Sequence, residues 1–325
     1  MTRPVPGFPA IELSPDLVAR FAADLARLWS DDATLGLAIS GGPDSLALLL
    51  LAHAAAPGRI AAATVDHGLR PANADEAAMV ADLCAALGIP HSTLAVTLPQ
   101  GNVQAEARVA RYAALAEWMA AGSALGLATA HHADDQAETL VLRLNRGSGV
   151  AGLAGVRERG TVLQTSLPLI RPLLGWRRSE LAMIVGAAGL TPADDPSNRD
   201  DRFDRARIRK VLAGADWLDV QALAASASHL ADADAALDWA AAREWQEGVT
   251  RAPLGLVYRP QAPRAIALRV LARIITELDG EAPRGSAVSR LFDCLVSRQP
   301  ASIGNLVARP LPEGWSFSKA PQRRS

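Results

Sequence analysis

The feature that most constrains this chain is the passage from an apolar run, residues 35–39, through Ser40-Gly41-Gly42-Pro43-Asp44-Ser45 into a longer apolar stretch, residues 46–56. A short apolar run, a two-glycine break and a long apolar run read as strand, tight turn and buried helix. Adjacent glycines admit positive φ and let the backbone approach a ligand, while the unpaired N–H groups at the start of the next helix favour an anion. A phosphate suits such a turn. A Walker loop would end in Gly-Lys-Ser/Thr, yet no lysine precedes Lys210, so this is not an ordinary NTPase loop. Asp44 sets a carboxylate inside the turn, beside the phosphates, and that arrangement calls for a cation such as Mg²⁺ between them. A glycine-rich turn with no ligand is the alternative reading of this stretch.

The same alternation recurs. Residues 15–30 carry one apolar helical face, and 60–65 form an apolar run ending in Asp66-His67-Gly68-Leu69-Arg70. Residues 73–87 follow as an amphipathic helix stopped by Gly88, 91–96 as a third strand, 103–119 as a long helix, and 125–130 as a fourth strand. Strands alternating with helices predict an α/β fold with a parallel, doubly wound sheet, whose ligands bind at the carboxyl ends of the strands. Residues 147–155 are a glycine-rich break, 167–174 read as an extended connection, and 177–188 as a helix. Beyond about residue 216, helical periodicity over 215–247, 265–278 and 286–296 predicts a small all-helical second domain, with a loosely ordered tail from Arg309.

Two further stretches carry chemistry. His131-His132-Ala133-Asp134-Asp135-Gln136-Ala137-Glu138 places imidazoles and carboxylates at a strand end and in the first turns of a helix, with Asp135 and Glu138 sharing a face. Two readings stand open: a transition-metal site, or an acidic first turn favoured by the helix dipole, which leaves the paired histidines unexplained. The preferred reading is a third, in which a carboxylate from this stretch joins Asp44 around Mg²⁺. Residues 194–209 are dense in charge, and Arg205, Arg207 and Arg209 offer forked donors for phosphate where a solvated loop is the plainer account.

Composition narrows the class. A formal net charge of −1 argues against broad non-specific nucleic-acid binding, although arginines cluster over 199–210. No apolar run is long enough to cross a bilayer, and the N-terminal residues lack a signal-peptide pattern. Cys84 and Cys294 are far apart, each inside an apolar helical pattern, so the chain is expected in a reducing, cytoplasmic setting.

Ser-Gly-Gly-x-Asp-Ser resembles the loop of the N-type ATP pyrophosphatases. Over residues 35–215 the chain resembles one family of them more closely, the tRNA(Ile)-lysidine synthetases. The likeness runs through Ser40 to Ser45; Val65-Asp66-His67-Gly68-Leu69-Arg70; Gly101-Asn102 with Ala107-Arg108 and Arg111-Tyr112; Ala130 to Thr139; Arg146-Gly147-Ser148-Gly149 with Gly152-Leu153; and Asp195-Pro196-Ser197-Asn198 on to Arg209. One departure is Ala206, where the family commonly has asparagine. The resemblance implies a ligase that adds lysine to the wobble cytidine of an isoleucine tRNA with a CAU anticodon. ATP is cleaved to AMP and pyrophosphate through an adenylated cytidine.

It also implies roles. Ser40, Gly41, Gly42, Pro43, Asp44, Ser45, Asp66 and His67 would bind ATP; Asp44 and Asp135 would hold Mg²⁺ and serve catalysis with Arg205 and Arg207. Arg111, His131, His132, Asp134 and Glu138 are candidates for contact with lysine or cytidine. Residues 1–215 would be the catalytic domain and 216–325 the helical tRNA-binding domain. The oligomeric state stays open, a homodimer among the options. Two other readings compete: a tRNA-thiolating pyrophosphatase, which would call for paired functional cysteines, and a nucleotide-binding module without enzymatic activity.

Overall fold

In the computed structural model, residues 11–30, 32–66, 71–96, 103–163, 165–193 and 204–320 are described, the side chains of 71–73, 103–105 and 123 excepted. Contacts divide the chain into two compact units, Met1–Ala231 and Asp232–Ser325.

The first unit opens with α1 (Pro15–Leu28), β1 (Leu35–Ala38), α2 (Pro43–Ala55), β2 (Ile60–Asp66), α3 (Pro71–Leu87) and β3 (His91–Ala95). There follow α4 (Val103–Trp118), a π-helical turn (Met119–Ser123), β4 (Gly126–Ala128), α5 (Ala133–Asn145) and the single turn α6 (Val150–Leu153). The unit continues through β5 (Arg159–Thr161), β6 (Pro168–Ile170), α7 (Arg178–Ala187), α8 (Asp204–Ala213) and the start of α9 (Val220–Gly248), inside which the division falls. The six-stranded sheet runs β3-β2-β1-β4-β6-β5, with β5 alone antiparallel. Leu35 pairs with Ile60 on one side and Gly126 on the other, so β1 and β4 are neighbours although β2 and β3 lie between them in sequence. The chain order reverses between β1 and β4, and the ends of these two strands therefore flank the crevice where open α/β sheets bind ligands.

Both faces of the sheet are covered. α2 is apolar all round because it is buried all round: Leu46, Leu48, Leu49 and Leu51 are inaccessible, packed with Phe21 of α1, Leu83 of α3 and Leu181 of α7. The opposite face holds Tyr112, Leu115 and Trp118 of α4 against Ala61, Ala63 and Leu127. Trp118 comes so close to β1 that a Cβ on Gly36 would stand 2.7 Å from its Cζ3. The sequence-based expectation of a doubly wound sheet is met, with one addition. The stretch 167–174, read as a connection, contributes β6 as a further parallel strand, Leu127 pairing with Leu169. Three residues starting with proline offer too little alternation to reveal a strand.

The second unit differs from its expectation. After α9 it continues as β7 (Val249–Ala252), β8 (Gly255–Tyr258), α10 (Arg264–Asp279), α11 (Gly285–Val296), β9 (Ala301–Ile303), β10 (Leu306–Leu311) and β11 (Gly314–Lys319). It is therefore not all-helical: a five-stranded antiparallel sheet, β7-β8-β11-β10-β9, packs with α10 and α11 around Tyr258, Leu271, Ile274, Leu291 and Phe317. Nor is the stretch from Arg309 to Lys319 a loose tail. Trp315 and Phe317 alternate with Ser316 and Ser318, the period-2 pattern of a half-buried strand. Pro310 and Pro312 disguised it. Pro310 is tolerated because β9 pairs only as far as Ala308, leaving that edge of residue 310 with no ladder bond to lose. Among the described residues no helix is long and apolar enough to cross a membrane.

Candidate active site

The glycine turn leaves β1 and enters α2. Gly41 takes φ +81°, a conformation that side chains disfavour, and Gly42 caps the helix without a side-chain hydrogen bond. The backbone N–H groups of the first turn are thus not occupied by a cap, as an anion site requires. Ser45 ties the turn together: its hydroxyl donates to the Gly42 carbonyl at 2.9 Å and accepts from the Ser40 N–H at 3.2 Å. Pro43 presets the first helical φ. Asp44 follows at the second helical position, where the helix dipole favours its charge.

Across the switch point, β4 ends and His132 caps α5. Its Nδ1 accepts from the Asp135 N–H at 3.4 Å, and its own N–H donates to Asp135 Oδ2 at 3.1 Å, a reciprocal capping box. With Nδ1 accepting, Nε2 carries the proton. It lies 3.3 Å from Asp44 Oδ2 and 3.6 Å from Asp135 Oδ2. These are ion-pair distances rather than aligned hydrogen bonds, for Nε2 is buried without a hydrogen-bond partner. Burial lowers the affinity of His132 for a proton, but Asp44 and Asp135 outweigh it and leave the pKa above its ordinary value. The two carboxylates picked out from separate motifs therefore converge on one imidazole.

Further into α5, Glu138 is 1% exposed. Its Oε1 accepts from Arg209 Nε of α8 at 2.9 Å and from Arg178 Nη2 of α7 at 3.3 Å, while Oε2 is buried with no partner. Asp134 is otherwise engaged. It accepts the Arg178 N–H at 2.8 Å and both arms of Arg177 at 3.3 Å, which anchors the start of α7 to α5. Those donors hold its carboxyl below the usual range even though burial acts to raise it.

The arginine-rich helix resolves by helical geometry. Residues four apart share a face and residues two apart oppose each other. Arg209 accordingly reaches Glu138, and burial, which lowers its pKa, is outweighed by Glu138, Asp135 and Asp44. Arg205, on the same face, acts on His131. Arg207 turns to solvent and pairs with Asp204, so the structure does not bring it to the carboxylates. Ala206 is 5% exposed and buried on the inward side.

His131 bonds Thr129 Oγ1 through Nδ1 at 2.9 Å. Burial above all draws its pKa down to about 4, against the opposing pull of Asp135, with Arg171, Arg108 and Arg205 adding to the fall. Arg108 lies over the ring of Tyr112 at 5.0 Å, and Arg111 stands beside that buried tyrosine on α4. Asp66 closes β2, whereas His67, the 67–70 segment, Gly101-Asn102 and residues 195–203 of the polar motif lie outside the described residues. Arg171 and Arg178 belong to the cluster but were not singled out from the sequence, whereas Arg209, read there as a donor for phosphate, engages Glu138. For Arg171 the signal was a lone arginine in the otherwise apolar stretch 167–174.

Among the described residues no three histidines, cysteines or carboxylates gather as a metal cage; Asp44 and Asp135 are a pair. A pair suits Mg²⁺, which takes one or two carboxylates and completes its shell with phosphates and water. The buried Asp44 Oδ1, which has no hydrogen-bond partner, is the observation that fits a cation there. Cys84 is buried and its thiol is pushed up to about 12, which makes it inert as a nucleophile or redox group.

The PP-loop domain family matches residues 16–215. A tRNA(Ile)-lysidine synthase of Novosphingobium aromaticivorans is 48% identical over 311 residues, 94% of this chain and 95% of its own. Another, from Zymomonas mobilis, is 40% identical and covered over 89% of each chain. Among solved structures, the U34-tRNA thiolase NcsA of Methanococcus maripaludis aligns with a TM-score of 0.53 at 16% identity, over 66% of this chain and 78% of that one, a likeness of fold.

Proposed function

Because the chain belongs to the tRNA(Ile)-lysidine synthase family, whose similarity spans nearly its whole length, we propose that it converts the wobble cytidine of an isoleucine tRNA to lysidine with ATP and free lysine. Cytidine O2 attacks the α-phosphate of ATP, the α–β bridging bond breaks, and pyrophosphate leaves. The ε-amine of lysine then attacks C2 of the adenylated base, the C2–O bond breaks, and AMP departs.

The observation that carries this reading is the meeting of Asp44 and Asp135 at His132, beside an uncapped glycine turn and at the point where the strand order reverses. The turn from Ser40 to Ser45 holds the leaving pyrophosphate through backbone N–H groups and the helix dipole. Asp66, which closes β2, faces the adenosine, and the family resemblance gives His67, outside the described residues, a part in the same contact. Asp44 and Asp135 would hold Mg²⁺, which when bound neutralises charge on the phosphates. Arg205 stabilises negative charge developing at the α-phosphate, a task the sequence divided between Arg205 and Arg207. Glu138 Oε2, buried and unpartnered, receives the lysine ammonium. The proton that must leave before the amine can attack goes to Glu138 or His132.

The cytidine reaches this crevice only if it is splayed from a single-stranded loop, and the CAU anticodon offers such a base. The C-terminal unit grips the tRNA, and the cytoplasm, where free tRNA, ATP and lysine meet, is the working compartment. A homodimer is compatible with this chemistry but is not needed for it.

Pyrophosphate release and incorporation of labelled lysine test the reading. The purified protein should release pyrophosphate from ATP only with the isoleucine tRNA and incorporate lysine only after that. ATP binding without pyrophosphate release would leave a nucleotide-binding module instead. Sulfur transfer without lysine incorporation would favour the thiolating class.

A further inference from the structure

Arg171 stands one residue beyond Ile170, the last residue of β6. Ile170 pairs with Ala128 of β4, and its carbonyl accepts the Thr129 N–H at 3.1 Å. Arg171 and His131 therefore emerge from adjoining strand ends at the same edge of the sheet. The Arg171 side chain is 8% exposed. Nη1 donates to the Arg157 carbonyl, but Nε is buried with no partner. Among the described residues, no carboxylate pairs with it; the nearby groups are Tyr112, Arg108, itself a cation, and His131. Burial above all presses its pKa down, Arg108 adding to it, against an opposing charge interaction and hydrogen bond with Tyr112.

A guanidinium buried without a counter-ion is costly, and folds seldom retain one unless an anion arrives. Three other arginines of this cluster do have carboxylates: Arg177 has Asp134, while Arg178 and Arg209 share Glu138. Asp135 and the arginines Arg171, Arg108 and Arg205 all act on His131, so charges of both signs meet at this edge of the sheet, as recognition of a zwitterion requires.

We propose that Arg171 is an oxyanion-binding residue of this active site, taking an anionic group of one of the two small substrates in its planar fork. The proposal rests on the functional reading above. Two sources supply that chemistry: the α-carboxylate of the amino acid and the phosphate chain of ATP. The presence of charges of both signs at this edge favours the carboxylate of a zwitterion.

The test uses the full-length protein with Arg171→Gln, which keeps a neutral donor near the Arg157 carbonyl and removes the charge, and Arg171→Lys, which keeps the charge and removes the fork. Three quantities are measured: the KM for lysine at saturating ATP and tRNA, the KM for ATP in pyrophosphate release without lysine, and inhibition by cadaverine, the same diamine lacking the carboxylate. With the carboxylate as ligand, Arg171→Gln raises the KM for lysine roughly 10- to 100-fold, as expected for a lost charge-assisted hydrogen bond. Cadaverine inhibition and the KM for ATP then stay put, and Arg171→Lys recovers part of the loss. If the KM for ATP rises while that for lysine holds, the oxyanion site stands with phosphate as its ligand. A folded Arg171→Gln protein with both constants unaltered overturns the proposal, as does a lowered melting temperature with no selective change in either KM. Should Gln not fold, Arg171→Lys decides in the same way. Wild-type protein that releases no pyrophosphate with tRNA would instead sink the functional reading, before any variant is compared.

Discussion

The structure ranks two arginines of α8 in the reverse of their order in the sequence argument, and thermal unfolding can check that ranking. Arg209 donates to Glu138 Oε1 at 2.9 Å, and Glu138 is 1% exposed. Truncating Arg209 to alanine leaves that oxygen only Arg178 at 3.3 Å, beside an Oε2 already unpartnered. A hydrogen bond to a buried charge is worth about 1.5–3 kcal/mol, and the Arg209 side chain is 33% exposed, so solvent screening takes the estimate to the low end, about 1–2 kcal/mol. For a unit of this size that lowers Tm by roughly 2–8 °C. Arg207, paired with Asp204 on the solvent side, should leave Tm unchanged when replaced by alanine. Circular dichroism or scanning fluorimetry at neutral pH distinguishes the two, and raising salt should matter little for Arg209→Ala. Equal losses in both variants, or no loss in Arg209→Ala, would falsify the assignment of Arg209 to the buried carboxylate.

Asp44→Asn should fold normally and lose pyrophosphate release, while Asp135→Asn should regain part of its activity as Mg²⁺ is raised; near-normal release by Asp44→Asn, or a loss in Asp135→Asn indifferent to Mg²⁺, would contradict the paired-ligand reading. Gly36→Ala puts a Cβ 2.7 Å from Trp118 Cζ3 and should cost about 1–3 kcal/mol by overpacking, read as a fall in denaturation midpoint with unchanged m-value. His131 has a folded pKa of about 4, below the ordinary histidine value, so between those values the unfolded chain binds more protons. Its contribution is present above about pH 6.5 and is lost as pH falls toward 4, at no more than about 1.4 kcal/mol per pH unit. Urea unfolding at neutral and mildly acidic pH should show a shallower acid loss in His131→Asn than in wild type, and parallel losses would count against a buried neutral His131.

What could be read from the chain alone was whatever is local. Ser40 to Ser45 declares its turn because two glycines, a proline and a capping-range acid leave the backbone few other conformations. α2 and α5 are legible from periodicity and from acids in the first turn. The parallel sheet follows from alternation, and with it the expectation that Asp44 and Asp135 lie on one edge. The C-terminal sheet escaped notice because its strands are three to six residues long, broken by prolines, and lie among strongly periodic helices. Which arginine matters was decided elsewhere. Arg205, Arg207 and Arg209 are equivalent as letters, and only the packing of α8 on α5 turns Arg209 toward Glu138 and Arg207 into water. Arg171 was hidden for the same reason. A charge spaced 36 residues from Asp135 carries no pattern, and its lack of a counter-ion becomes visible only once β6 has brought it beside β4 and buried it, since burial and pairing are properties of the neighbours a fold assembles.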